Sequence, residues 1–144
     1  MPALFSLAQH PALEEAQRQL HSEDHLFAFL DDLYVVTTKD RAYHAFQTVT
    51  QEVANRAGVH THEGKLRVWS REGGDCPSGF ERLPAEVWAG GAEPEDRGIK
   101  VLGTPLGHAA FVARLTSRRM EKERAFIKQI VQIEDLQTAW LMLA

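Results

Sequence analysis

Residues 25–38, HLFAFLDDLYVVTT, hold two adjacent carboxylates, Asp31 and Asp32, inside an otherwise apolar and aromatic run. Two chemistries fit such a pair. Asp is a favoured turn residue, so the pair can close a solvent-facing hairpin. Paired carboxylates at the rim of a sheet also suit a two-metal phosphoryl-transfer site, which holds Mg²⁺ against the attacking and leaving oxygens. The residues alone leave turn and metal site as open alternatives.

The arms that position the pair are short, aromatic and β-branched, which favours strands over HLFAFL and LYVVTT, with Asp31 and Asp32 at the turn. Before them, Leu4, Leu7, Ala8, Leu13, Ala16 and Leu20 recur at helical spacing over residues 3–20, and Pro11 is expected to kink or split that helix. After them, Tyr43, Phe46, Val49, Val53 and Ala57 predict a helix over 40–57. Asp40 stands at its start and Gly58 at its C-terminal cap. KLRVWS reads as a strand. Residues 71–97 are rich in Gly, Pro and acids and read as an irregular insertion, with a short helical piece at PAEVWA. GIKVLGTPLG reads as a strand followed by a turn, 109–131 as a long basic helix, and LQTAWLMLA as a last apolar segment. The expected class is α+β: an antiparallel sheet with helices on one face.

The chain of 144 residues is expected to form one domain with a real core. No apolar stretch is long enough for a membrane span, and no basic leader precedes one, so an intracellular protein, nuclear or cytoplasmic, is expected. The single cysteine, Cys76, excludes an internal disulfide and suits a reducing compartment. Net charge is −4, which argues against a simple nucleic-acid binder, but the charge is unevenly spread. Residues 1–97 carry nine Lys/Arg against sixteen Asp/Glu, whereas residues 98–128 carry seven against two. The basic segment is either a solvated helix face or a nucleic-acid contact. His60 and His62, with Glu63 beside them and Cys76 further on, offer a weaker zinc reading with no fourth ligand at a conventional spacing.

FAFLDDLYVV resembles the aromatic-x-Asp-Asp motif of reverse transcriptases, closest to the non-LTR retrotransposon type. The neighbouring segments resemble that family in order. MPALFSLAQHPAL is similar to the start of the helix after its Gln-Gly-Asp-Pro-x-x-Pro motif, with Pro2 at the last proline. Residues 40–57 are similar to the palm helix after the Asp-Asp hairpin, GVHTHEGKLRVWS to the following lysine-bearing motif, and GIKVLGTPLG to the primer grip. The resemblance implies a partial polymerase palm over 1–107, with the insertion at about 71–97, and the start of a thumb or connection over 108–144.

It also implies roles. Asp31 and Asp32 are the catalytic metal ligands for Mg²⁺ or Mn²⁺, Asp31 directly and Asp32 more weakly. Lys65 lies near the incoming dNTP. Gly98–Gly107, with Lys100 and Gly103, holds the primer end. Arg114, Arg118, Arg119, Lys122 and Lys128 follow the backbone of an RNA template and DNA primer. The family builds its metal site from three carboxylates, and one comes from a strand upstream of the helix that here begins at residue 1. This chain is therefore expected to be a fragment, weak in metal binding and inactive alone as an RNA-directed DNA polymerase. A non-catalytic nucleic-acid-binding module and a degenerate retroelement remnant are the alternatives.

Overall fold

Two helices pack together around small side chains. In the computed structural model, which describes residues 2–143, α1 (Pro2–Gln19) and α2 (Ala42–Ala57) pack through Ala12, Ala16 and Leu20 on one helix and Ala45, Val49 and Val53 on the other. Alanines at the seam let the two backbones approach closely. Helix α1 runs through Pro11 as one element. Helix α2 ends at Gly58, whose backbone is left-handed (φ 65°) and whose N–H donates to the Ala54 carbonyl at 3.1 Å.

The strands β1 (His25–Phe29) and β2 (Asp32–Val36) form an antiparallel hairpin that lays Leu26, Leu33 and Val35 against this helical pair. Helices therefore do cover one face of the hairpin. The other face is open: Phe27, Phe29 and Val36 are each more than half exposed. The free edge of β1 is tied to α1 by Gln17, whose amide donates to the Asp24 carbonyl at 2.9 Å and accepts from the Leu26 N–H at 2.7 Å. One side chain thus stands in for a neighbouring strand at two backbone groups. Asp24, which is 2% exposed, receives a fork from Arg41, Nη2 to Oδ1 at 2.9 Å and Nε to Oδ1 at 3.2 Å. This pins the start of the hairpin to the start of α2.

A second antiparallel hairpin, β3 (Gly98–Val101) and β4 (Thr104–Gly107), is followed directly by α3 (Ala109–Ile130) and α4 (Leu136–Leu143). The fold is thus α+β, but the expected single sheet is two separate two-stranded sheets. GIKVLGTPLG is a complete hairpin, where the sequence predicts one strand and a turn. KLRVWS is not a strand. Val68 makes one isolated parallel bridge to Trp88, because its only partner is a loop with no extended run to pair with. PAEVWA shrinks to a single 3₁₀ turn, Ala85–Val87.

Residues 71–97 are irregular, as expected, yet they are anchored. Phe80 is buried against α2, edge-on to Tyr43 (ring centroids 5.2 Å apart) and beside Phe46 (5.7 Å). Lys39 lies over the Trp88 ring at 5.5 Å, and the Trp88 indole donates to the Gly74 carbonyl at 3.1 Å. No helix among the described residues is long and apolar enough to cross a membrane.

Candidate nucleic-acid and metal site

The turn of the first hairpin lies one residue earlier than the sequence predicts. Phe29 pairs with Asp32, so Leu30 and Asp31 form the turn and Asp32 opens β2. Leu30 takes the left-handed backbone (φ 55°), a strained state for a side chain branched at Cγ with no polar group to support it. Both carboxylates are exposed at the tip.

The two acids converge on one neighbour. The Tyr34 hydroxyl donates to Asp32 Oδ2 at 3.3 Å. Its phenol is held above its ordinary pKa chiefly by burial, then by the charges of Asp32 and Asp31, while an interaction with the Leu102 backbone acts in the opposite sense. The Leu102 backbone thus lies beside the same oxygen. Tyr34 therefore stands between the acidic tip and the tip of the second hairpin.

That second tip is Leu102–Gly103, with φ 48° and 82°. Positive φ at both central residues is the pattern of a type I′ turn, whose twist matches the flanking strands. Gly103 takes it without cost, and Leu102 takes it with strain. The two described non-glycine residues with positive φ, Leu30 and Leu102, are thus at the two tips that Tyr34 stands between. Strained backbone of this kind concentrates at functional sites.

Helix α3 lies flush on β3 and β4 because Gly98 and Gly107 face each other in the ladder. A Cβ on Gly98 would lie 2.2 Å from the Phe111 ring. From this seat Arg119 reaches over the turn, its Nη1 3.7 Å from where a Cβ on Gly103 would be. At about 100° per residue, Arg114, Arg118, Lys122 and Lys128 share an arc of about 120°, interrupted by Glu121. Arg114 is occupied: it binds Asp96 at 2.6 Å and lies over Phe111 at 5.9 Å. Arg119 makes a long exposed pair with Glu123 at 3.6 Å. No ion pair among the described residues holds Arg118, Lys122 or Lys128. Beyond Leu115 the helix is exposed on every side until Ile130.

The other expected residues are less connected. Lys65 ends a 3₁₀ turn, Glu63–Lys65, is exposed, and has no ion pair to Asp31 or Asp32. Lys100 is exposed on β3 opposite Pro105. His60 and His62 are exposed. No group of three or more His, Cys, Asp or Glu among the described residues is placed to hold a metal ion, so the zinc reading gains no support and the hairpin offers two carboxylates. Two exposed acids are few for Mg²⁺, which keeps its water unless the ligands approach octahedral geometry. The residues that sequence reasoning missed are Tyr34 and Leu102. An aromatic two places after an acid in a strand shares its face, and Leu-Gly between extended arms is a turn signal; both cues were available.

No protein-family model matches the chain, and no curated protein or solved structure is significantly similar to it.

Proposed function

We propose that the chain is part of a reverse-transcriptase palm with the beginning of its thumb, a family whose reaction is templated nucleotidyl transfer from a dNTP to a DNA primer on an RNA template. What supports this reading is contiguity. The acidic tip, the Leu102–Gly103 turn and the basic helix are neighbours, with Tyr34 between the two tips and Arg119 over Gly103. On this reading, bound Mg²⁺ or Mn²⁺ supplies the charge that activates the attacking oxygen and steadies the leaving group. Asp31 and Asp32 hold it weakly, Tyr34 orients Asp32, and the free cations of α3 neutralise duplex phosphates. Two carboxylates do not complete the family's site, so the chain by itself binds primer–template and does not extend it.

The test combines binding and metal. Mn²⁺ is expected to broaden the NMR signals of Asp31 and Asp32 selectively, and Asp31→Asn with Asp32→Asn to abolish this. An RNA·DNA duplex is expected to bind in a salt-sensitive manner. Absence of both effects refutes the reading. Primer extension that Asp31→Asn abolishes would keep the family but refute inactivity.

A second reading rests on Arg118, Lys122 and Lys128, which pair with no acid among the described residues. It is a nucleic-acid-binding module without chemistry. Duplex binding with no selective Mn²⁺ effect at the hairpin favours it.

A further inference from the structure

A cavity of about 280 Å³ lies away from the acidic hairpin, where the insertion meets the start of α3. Trp69, Arg71, Pro94, Arg97, His108 and Ala109 line it, and no acidic side chain does. Each polar side chain in that wall has a donor to offer. Arg71 is exposed and makes no ion pair or hydrogen bond among the described residues. Arg97 is half-buried and fixed by backbone carbonyls, Nε to Ala92 at 2.8 Å and Nη1 to Glu72 at 3.3 Å, so its charge is oriented but not neutralised. Asp96, the neighbour of Arg97 in the chain, is taken by Arg114 at 2.6 Å. Trp69 Nε1 is covered and finds no acceptor among the described residues. His108 caps α3, its Nδ1 accepting from the Ala110 N–H at 3.3 Å, which leaves the proton of a neutral ring on Nε2.

A wall of uncompensated positive charge is costly unless an anion meets it. Two guanidiniums sharing a cavity repel. An oxyanion relieves that repulsion, and Arg binds phosphate oxygens in its planar fork. The N-terminal end of the 22-residue helix α3 opens beside the cavity and adds to a field that the arginines already set. The volume is at the small end for a ligand site, which fits a phosphate or sugar phosphate better than a whole nucleotide cofactor.

We propose that this cavity binds a phosphate group, carried either as free phosphate or in the backbone of a single-stranded nucleic acid. The site is independent of Asp31 and Asp32, and it holds whether or not the polymerase reading does.

The test is ¹⁵N–¹H NMR of the full chain, reading the Trp69 indole and the Arg71 and Arg97 Nε signals. The Trp69 signal is assigned with Trp69→Phe. Inorganic phosphate and a short single-stranded oligonucleotide are titrated separately, with chloride at matched ionic strength as control. Saturable shifts at these three groups with phosphate, weakened about tenfold or more by Arg71→Ala, bear the proposal out. Shifts with the oligonucleotide alone, lost in Arg71→Ala, bear it out with nucleic acid as the source. Arg71 is exposed and makes no structural bond, so its removal leaves the fold intact; Arg97→Lys, which keeps the charge and loses the fork, is a second variant expected to weaken binding. No shift with either ligand, equal shifts with chloride, or shifts indifferent to both variants overturn the proposal.

Discussion

The Tyr34 hydroxyl donates to Asp32 Oδ2 at 3.3 Å and lies beside the Leu102 backbone, so one oxygen stands between the tips of two hairpins that share no strand pairing. Tyr34→Phe removes that oxygen and keeps the ring. The expected result is faster amide exchange at Leu102 and Gly103 with a stability change below about 1 kcal/mol, the scale of one partly exposed hydrogen bond. The phenol's folded pKa is raised above 10.0, so the native state keeps a proton that the unfolded chain loses. Its contribution is therefore present below pH 10 and fades as pH rises through the folded value. Unchanged Leu102 exchange in the variant would show that the hairpins are held together by something else.

The Asp24–Arg41 fork carries the opposite pH sign. Burial pushes the Asp24 carboxyl up, but hydrogen bonds from Arg41 and Thr37 together with the charges of Arg41 and His21 outweigh it, and its pKa lies below 3.8. A depressed folded pKa gives stability that is present above the unfolded value and lost as pH falls through the folded one. Asp24→Asn is expected to cost about 3 kcal/mol at pH 7, because it leaves a half-covered guanidinium with only a long pair to the exposed Glu23 at 3.4 Å. Urea unfolding at pH 7 and pH 3 checks this: the gap between wild type and variant should narrow at pH 3. A gap that is equal at both values would place the effect in packing.

Much of this was written in the sequence, and the misses have physical causes. The periodicity over 40–57 and Gly58 point to α2 and its cap because packing and local preference agree there, although the helix begins at Ala42, two residues after Asp40. The turn of the first hairpin could not be placed to the residue. Closing on Asp31–Asp32 or on Leu30–Asp31 puts the same side chains, Leu26, Ala28, Leu33 and Val35, on the core face, so the apolar pattern is blind to the choice. Asp tolerates a turn better than Leu, which biased the reading towards the acids. KLRVWS has strand composition, but composition does not supply a partner strand. The link from Tyr34 to Leu102 spans 68 positions, and no local pattern reports a contact of that separation.

Backbone strain at the two tips gives a direct stability prediction. Leu30 and Leu102 are left-handed at φ 55° and 48° and are 40% and 50% exposed, so little packing is lost on replacing them. A non-glycine residue in this region costs roughly 1–2 kcal/mol, and Asn bears it more readily than Leu. Leu102→Asn is expected to stabilise the chain by about 1 kcal/mol, as read from a thermal or urea melt. The same change at Leu30 should stabilise by a similar amount. A loss of stability in both would mean that the leucines pack more tightly than their exposure implies.

The seat of α3 on the second hairpin depends on a missing side chain. A methyl on Gly98 would meet the Phe111 ring at 2.2 Å and the Leu106 carbonyl at 2.7 Å. Gly98→Ala is expected to destabilise by about 2 kcal/mol, the scale of an overpacked contact. It should also lift the start of α3 and move Arg119 from the Leu102–Gly103 turn. Gly98→Ala with Phe111→Leu should recover part of the loss by giving the methyl room. Both effects can be read from unfolding curves and from the Gly103 amide shift; a neutral Gly98→Ala would mean that α3 does not rest on β3 at this point.

The basic helix separates free from occupied cations, and a salt titration can tell them apart. Each phosphate neutralised by a protein cation contributes about −0.9 to the slope of log K against log salt for a duplex. Arg118 and Lys122 have no ion-pair partner among the described residues, so Arg118→Ala with Lys122→Ala should lower the magnitude of the slope by about 1.8 on an RNA·DNA duplex, if each touches one phosphate. Arg114 is held by Asp96 at 2.6 Å and must give up that pair to reach a phosphate. Arg114→Ala should therefore change the slope by much less than one such charge. Asp96→Asn should do the reverse, freeing Arg114 and steepening the slope. If Arg114→Ala weakens duplex binding as much as Arg118→Ala does, the Asp96 pair opens on binding, and the stripe that contacts nucleic acid begins one turn nearer the N-terminal end of α3.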